Sequence, residues 1–318
     1  MVNDQKLLRP LWPFIKIAGA GLIVAFLLCR EPRAVFALQR ESAGVTISPP
    51  FTEITLASGQ SKTTTMVEIA NKTMGHQSIR LSILDFGALD ESGGVAFAGS
   101  RGSALQQSYS LASWVSLEKD SLEIDPGTTK KIIVSITNKG SLSPGGHYAA
   151  VVASSGEQKT KGQSIGLKSA IASLLFVKKT GGEIYGLSLS GSEVTKRRLM
   201  LPTEVNLRFQ NTGNVHVVPR GTVTVNGPWG TEIFKGIINP QSGIILPENF
   251  RVYPTTLERL SLPLWPGMYQ LIISYRYETQ NEAVAQTTRF FFPGLVGIGL
   301  VSLVIISLAR AGLARLNL

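Results

Sequence analysis

The chain has 318 residues, 43% of them hydrophobic, with 32 Gly, 16 Pro and a formal net charge of +10. That length allows about two domains, and the composition excludes both a disordered polymer and a polytopic membrane protein. The basic excess is weighted towards the two ends, so it is not a nucleic-acid footprint.

At the N-terminus Lys6 and Arg9 precede an apolar stretch, Ile17 to Cys29, and Ala34-Val35-Phe36-Ala37 follows it. Base, apolar run and small residues in that order make a secretory signal over residues 1–37, cut after Ala37. The run is short of the roughly 30 Å hydrocarbon core. The rival is an uncleaved anchor starting near Trp12, for which Arg30 and Arg33 supply the flanking charge. A lipoprotein reading of Cys29 is weaker, because Leu28 stands where a small residue is wanted. Cys29 is the single cysteine and lies in the leader, which leaves the mature chain without disulfides, thiolate metal sites or a cysteine nucleophile.

From residue 38 to residue 289 the pattern is β. No convincing amphipathic helix occurs; short alternating apolar runs close on Asn, Gly or Pro, which predicts an all-β fold of immunoglobulin-like sandwiches. Val67 and Ile69 alternate into Asn71-Lys72-Thr73, and Ile79, Leu81 and Ile83 resume. Leu122 and Ile124 reach Asp125-Pro126-Gly127; Ile132, Val134 and Ile136 follow; Pro144-Gly145-Gly146 opens Tyr148 to Val152; and Ile171 to Val177 closes the unit. A second unit follows Gly181-Gly182. Val205, Leu207 and Phe209 run into Asn211-Thr212-Gly213-Asn214, Val223 and Val225 into Asn226-Gly227-Pro228, and Pro266-Gly267 starts Tyr269, Leu271, Ile273, Tyr275 and Tyr277. The expected sandwiches are 38–180, wall- or partner-binding, and 181–289, membrane-proximal. Residues 290–309 are uncharged between Arg289 and Arg310, which predicts one transmembrane helix with Phe290, Phe291 and Phe292 at its outer interface. Residues 310–318 then form a short basic cytoplasmic tail under the positive-inside rule, and the sandwiches lie outside the cytoplasm.

The run Gly44 to Pro50, the strand ending at Asn71, Trp114, the strand leaving Pro126-Gly127, and Pro144-Gly145-Gly146-His147-Tyr148-Ala149-Ala150 together resemble a known family. Over residues 44–180 the chain resembles the immunoglobulin-like peptidoglycan-binding domain of bacterial WxL-interacting surface proteins, itself similar in build to periplasmic pilus-chaperone domains. The plan of signal, two sandwiches, helix and basic tail is similar too. The resemblance implies a cell-envelope surface protein that binds wall polymer or another surface protein. No Trp-x-Leu triplet occurs, so the chain would be a partner of such proteins.

Metal- and phosphate-site signatures are missing. There is no His-Glu-x-x-His pair and no phosphate-cradling Gly-x-x-x-x-Gly-Lys-Ser/Thr loop; His76, His147 and His216 are scattered. The reading is therefore a non-enzyme with no cofactor and no metal. Asp85, Asp90 and Glu91 are the nearest thing to a carboxylate cluster, more simply read as a solvated turn. Lys196-Arg197-Arg198 is read as an edge that discourages strand pairing, Trp229 and Trp265 as packing at a sandwich end, and Asn71-Lys72-Thr73 as a sequon of little weight. The stretch Phe86 to Ser110 reads as a long loop, a length usually functional or disordered. Asp90, Arg101, Gln106 and Tyr109 in it are candidate ligand-binding residues, together with Trp114 beyond it, whose ring could stack on a sugar or simply pack. Two other functions stay open: a chaperone-like assembly factor donating the strand of Ile171, Ser173, Leu175 and Val177, and a structural subunit held in a membrane complex by its helix.

Overall fold

A computed structural model of the chain describes residues 44–316 except 58, 99–106, 141, 156–169, 195–200, 279 and 281–282. The leader with its cleavage point, Lys196-Arg197-Arg198, Arg101 and Gln106 therefore lie outside the described residues.

The first half is a sandwich of two sheets. One is ordered β1 (Val45–Ser48), β3 (Lys62–Asn71), β8 (Thr129–Thr137), β6 (Val115–Leu117). The other runs β2 (Phe51–Leu56), β10 (Ala170–Lys179), β9 (Gly145–Ser155), β4 (Gln77–Ala88), β5 (Val95–Phe97), with β7 (Ser121–Ile124) also on β4. The chain crosses from sheet to sheet between β1 and β2, and β2 then pairs parallel with the last strand, β10. That split first strand, with antiparallel pairing elsewhere, is an immunoglobulin-type arrangement. The alternation read from the sequence does the burying: Val67, Ile69, Ile79, Leu81, Leu122, Ile124, Ile132, Val134 and Ile136 all lie in one core between the sheets.

The second half repeats the plan with β11 (Leu187–Val194), β12 (Glu204–Asn211) and β15 (Phe250–Thr256) in one sheet. The facing sheet is ordered β16 (Glu258–Arg259), β14 (Glu232–Ile238), β13 (Pro219–Asn226), β17 (Gly267–Tyr277), β18 (Val284–Phe292). Val205, Leu207, Phe209, Val223, Val225, Tyr269, Leu271, Ile273 and Tyr275 fill its core. The described residues belong to one compact unit.

One device closes a strand in both sandwiches. Asn71 is fully buried; its Nδ2 donates to the carbonyls of Gly75 (2.8 Å) and Ile124 (2.9 Å), and its Oδ1 accepts the Thr73 N–H. Asn211 does the same for Val215 (2.8 Å), Ile245 (3.0 Å) and the Gly213 N–H. Orphan carbonyls and amides at a strand end are satisfied internally, so the Asn-x-Gly-like grammar is structural. The sequon match at Asn71 has the same explanation, since a fully buried amide is not an acceptor for a glycan.

Two expectations change. Phe86 to Phe97 is not loop: β4 runs through Ala88 and pairs with β5 across a tight turn at 89–94. The C-terminal helix, α1 (Gly294–Leu316), starts four residues later than the uncharged run suggests, because Phe290–Phe292 belong to β18. Strand alternation turns Phe290 and Phe292 inward onto Tyr269, at ring distances of 6.2 and 5.5 Å, and only Phe291 outward. One stretch of α1, Gly294–Gly312, is long and apolar enough to cross a membrane, and 6% of it is buried.

Candidate functional site

Among the described residues, three of the contacts between the two sandwiches frame the site. First, the turn between β4 and β5 reaches the second sandwich: Glu91 takes a forked ion pair from Arg208, the Val252 N–H donates to the Glu91 carbonyl at 2.8 Å, and Gly93 lies flat on the Arg251 guanidinium, where a Cβ would sit 2.2 Å from its carbon. Arg208 holds the Glu91 carboxyl below the usual carboxylate range and also lies 3.7 Å from the Phe250 ring centroid. Second, Tyr109 donates to Glu248 Oε1 at 2.8 Å, and its phenol is pushed up to about 12, first by burial and then by that carboxylate. Third, the Pro144 to Ala150 run docks against the loop after β12. The Gly146 N–H donates to the Asn214 carbonyl at 2.8 Å, and the Tyr148 hydroxyl accepts the His216 N–H at 3.0 Å and lies 3.3 Å from His216 Nδ1. A Cβ on Gly146 would sit 2.1 Å from that hydroxyl, so the second glycine of the motif is what lets Tyr148 reach across. His216 is buried against Tyr148 and Phe176, which drives its pKa down to about 4.

Within this joint is a cavity of about 280 Å³. Phe51, Phe86, Leu174 and Phe176 line it from the outer face of the first sandwich, and Ile244 and Leu246 from the second. Its wall also holds Asp90, Asn249 and Arg251. Arg251 Nη1 donates to the Ile244 carbonyl at 2.8 Å, while its buried Nε has no hydrogen-bond partner among the described residues. β10 makes such a wall because it is apolar on both faces: Leu175 and Val177 point into the first core, while Leu174 and Phe176 pack on its outer side.

The residues singled out in the sequence separate. Asp90 lines the cavity, but its carboxylate is engaged by the Ser92 N–H (2.8 Å) and hydroxyl (2.6 Å), which lower its pKa. Asp85 instead accepts the N–H groups of Leu111 and Ala112, and Glu91 is in the ion pair. The three acids thus form no shared site, and among the described residues no His/Cys/Asp/Glu group is placed to hold a metal. Tyr109 is a joint residue. Trp114 is apart from the cavity, packed on the first core with Lys139 Nζ 5.1 Å from its ring centroid. It borders a second hollow of about 410 Å³ with Ser108, Ser110, Ser113 and His147. Trp229 and Trp265 are not packed away: they form an edge-to-face pair at 5.8 Å and are 70% and 51% exposed. Sequence reading missed Phe51, Leu174, Phe176 and Arg251. The apolar run Leu174 to Val177, more than one core face needs, was the available signal.

No protein-family model and no curated protein matches the chain. Among solved structures it is similar to the class 5 fimbriae chaperone CfaA, with 10% identity over 77% of this chain and 99% of that one, at a TM-score of 0.43. A chain from a chaperone–tip adhesin complex of CFA/I fimbriae biogenesis is 14% identical over 79% and 100%, at 0.41, and the Escherichia coli chaperone DraB is 10% identical over 78% and 96%, at 0.36. These likenesses concern the fold. The assignment of two immunoglobulin-like sandwiches stands on the sheet order and register described above.

As for a donor strand, β10 is already paired on both sides from Leu174 to Lys179, by β2 and β9. Its other side is without a described partner strand only over Ala170–Ser173. Ser173 there is buried and donates to the Pro49 carbonyl at 2.7 Å, so Leu175 and Val177 belong to the core and not to a free edge.

Proposed function

We propose that this chain is a membrane-anchored cell-envelope protein whose extracytoplasmic sandwiches bind a surface-protein partner without catalysing a reaction. The observation that carries this reading is the apolar cavity in the joint, sized for one or two side chains of a partner. Asn249 and Arg251 in its wall add polar groups to orient that partner. The anchor is α1: a helix of 23 residues spans about 34 Å and exposes Leu300, Val301, Leu303 and Val304, a face that water does not tolerate and lipid does. Arg310 and Arg315, beyond its uncharged stretch, support a cytoplasmic far end under the positive-inside rule.

Wall polymer is the alternative, for which the partly buried Trp114 at the edge of the second hollow is the aromatic group on offer. The test puts a photo-crosslinking phenylalanine analogue at Phe51, which is half exposed at the cavity mouth, in the full chain in its own envelope. A discrete protein adduct that disappears with Leu174→Arg supports the reading. Absence of any adduct, together with salt-resistant pelleting of the chain on isolated sacculi, overturns it in favour of wall binding.

A further inference from the structure

The membrane-proximal end of the second sandwich carries a surface that the cavity does not explain. Residues 260–268, Leu-Ser-Leu-Pro-Leu-Trp-Pro-Gly-Met, contain no charge, and neither does Pro228-Trp229-Gly230. Leu262, Leu264, Trp265 and Met268 stand 51%, 43%, 51% and 51% exposed, with Trp229 and Phe291 beside them at 70% and 66%. Phe291 and Met268 are register partners in β18 and β17, Trp229 packs edge-on against Trp265, and Pro228 lies against Gly267. The six therefore form one continuous apolar collar, large for a face left to water.

That collar is tied to the first turn of α1. The Leu295 N–H donates to the Pro263 carbonyl and the Val296 N–H to the Leu264 carbonyl, both at 2.9 Å. Two of the amides that a helix start leaves orphaned are thereby satisfied by the loop itself. Gly294 has φ +65° and no room for a side chain, since a Cβ would sit 2.3 Å from the Trp265 carbonyl carbon. The loop is in turn held to the core by the Tyr269 hydroxyl, which donates to the Trp265 carbonyl at 3.0 Å. Helix, collar and sandwich are thus coupled with no linker between them.

We propose that this collar is a lipid-binding surface that seats the second sandwich directly on the outer phospholipid interface. The inference rests on α1 spanning the membrane. If it does, its first turn lies at the interface, and the groups hydrogen-bonded to that turn lie at the same depth. Tryptophan is suited to that depth, with an apolar ring and one N–H for the headgroup layer. The sandwiches then project from the membrane at a set angle.

The test reconstitutes the full chain, carrying Trp12→Phe and Trp114→Phe, in phosphatidylcholine and phosphatidylglycerol vesicles, so that Trp229 and Trp265 alone emit. The expected result is blue-shifted emission, quenched more strongly by lipid brominated near the carboxyl end of its acyl chain than by lipid brominated near the methyl end. In the unsubstituted chain, a headgroup-proximal photoactivatable phospholipid should label the segments holding Trp229 and residues 260–268. Emission typical of water, or blue-shifted emission that bromolipid does not quench because a second copy or a partner covers the collar, overturns the proposal. Alkaline carbonate extraction separates the two ideas. A chain that stays in the vesicles with unquenched, unlabelled collar residues refutes lipid seating alone, whereas a chain that extracts refutes the span beneath it.

Discussion

Glu91 in the first sandwich and Arg208 in the second are joined by two hydrogen bonds, Nε to Oε2 at 2.7 Å and Nη2 to Oε1 at 2.5 Å. The pair sits at the surface, with side chains 43% and 39% exposed, so its weight is in holding the joint's geometry more than in global stability. Glu91→Ala should leave the unfolding transition nearly unchanged while raising hydrogen exchange at the Val252 amide, which donates to the Glu91 carbonyl. The charge swap Glu91→Arg with Arg208→Glu should restore protection. Unaltered exchange in the single variant would show that the turn is held without the pair.

A second expectation concerns Gly146. An alanine there must displace the Tyr148 hydroxyl from His216, with an overpacking cost of about 1–3 kcal/mol. Urea unfolding of Gly146→Ala compared with Gly75→Ala, where a Cβ meets nothing within 4 Å, isolates the effect. Equal midpoints for the two variants would mean that Tyr148 does not brace the joint.

Buried His216 makes stability depend on pH. Its folded pKa is about 4 against an ordinary 6.5, so between those values the unfolded chain binds the proton and the folded chain does not. Stability is therefore complete above about pH 6.5, falls as the pH drops through this window by roughly 3 kcal/mol, and levels off below it. His147, lowered by its own burial, adds in the same sense. His76 opposes: hydrogen bonds to Asp125 and Glu123 raise its pKa, so its contribution is present below 6.5 and lost as pH rises through the folded value. Chemical denaturation of His216→Gln at a series of pH values should show a shallower slope between pH 6.5 and 4. A slope equal to that of the native chain would assign the effect to His147.

The paired asparagines give a fourth expectation. Asn71→Ala strands the carbonyls of Gly75 and Ile124, and Asn211→Ala those of Val215 and Ile245. Each should cost roughly 1–3 kcal/mol by calorimetry. A loss confined to one of the two would contradict the equivalence of these strand ends.

The sandwich cores were legible because a strand with one buried face must alternate, and residues such as Val67, Ile69, Val205 and Leu207 report that alternation locally. The turn chemistry was legible for the same reason: Asp125-Pro126-Gly127 acts within a few residues of itself, and Asn211 does so in its bonds to Gly213 and Val215. The span 290–309 was misplaced at its start because hydropathy does not distinguish Phe290 and Phe292 in a strand facing Tyr269 from phenylalanines at a membrane.

The candidate site was only partly legible. Asp90 and Tyr109 were singled out for belonging to a long polar stretch, and they do lie at the joint, but their roles are a self-contained turn and a tether to Glu248. Phe51 carries no signal of a cavity in its own neighbourhood, and for Phe176 the only local sign is the apolar run Leu174 to Val177.

By itself the sequence determined an all-β chain in two sandwiches followed by one apolar helix, since alternation, turn residues and hydrophobic length act over short distances along the chain. Only the tertiary structure decided how the sandwiches meet and what surrounds the helix. Arg208 lies 117 residues from Glu91 and His216 lies 68 from Tyr148, and no local propensity encodes which distant surface a side chain will touch. The collar around α1 shows the same division. Trp229 and Trp265 read as packing at a sandwich end until β13 and β17 bring Pro228 against Gly267, set the two exposed rings edge to face and lay the Trp265 carbonyl against the first residue of the helix.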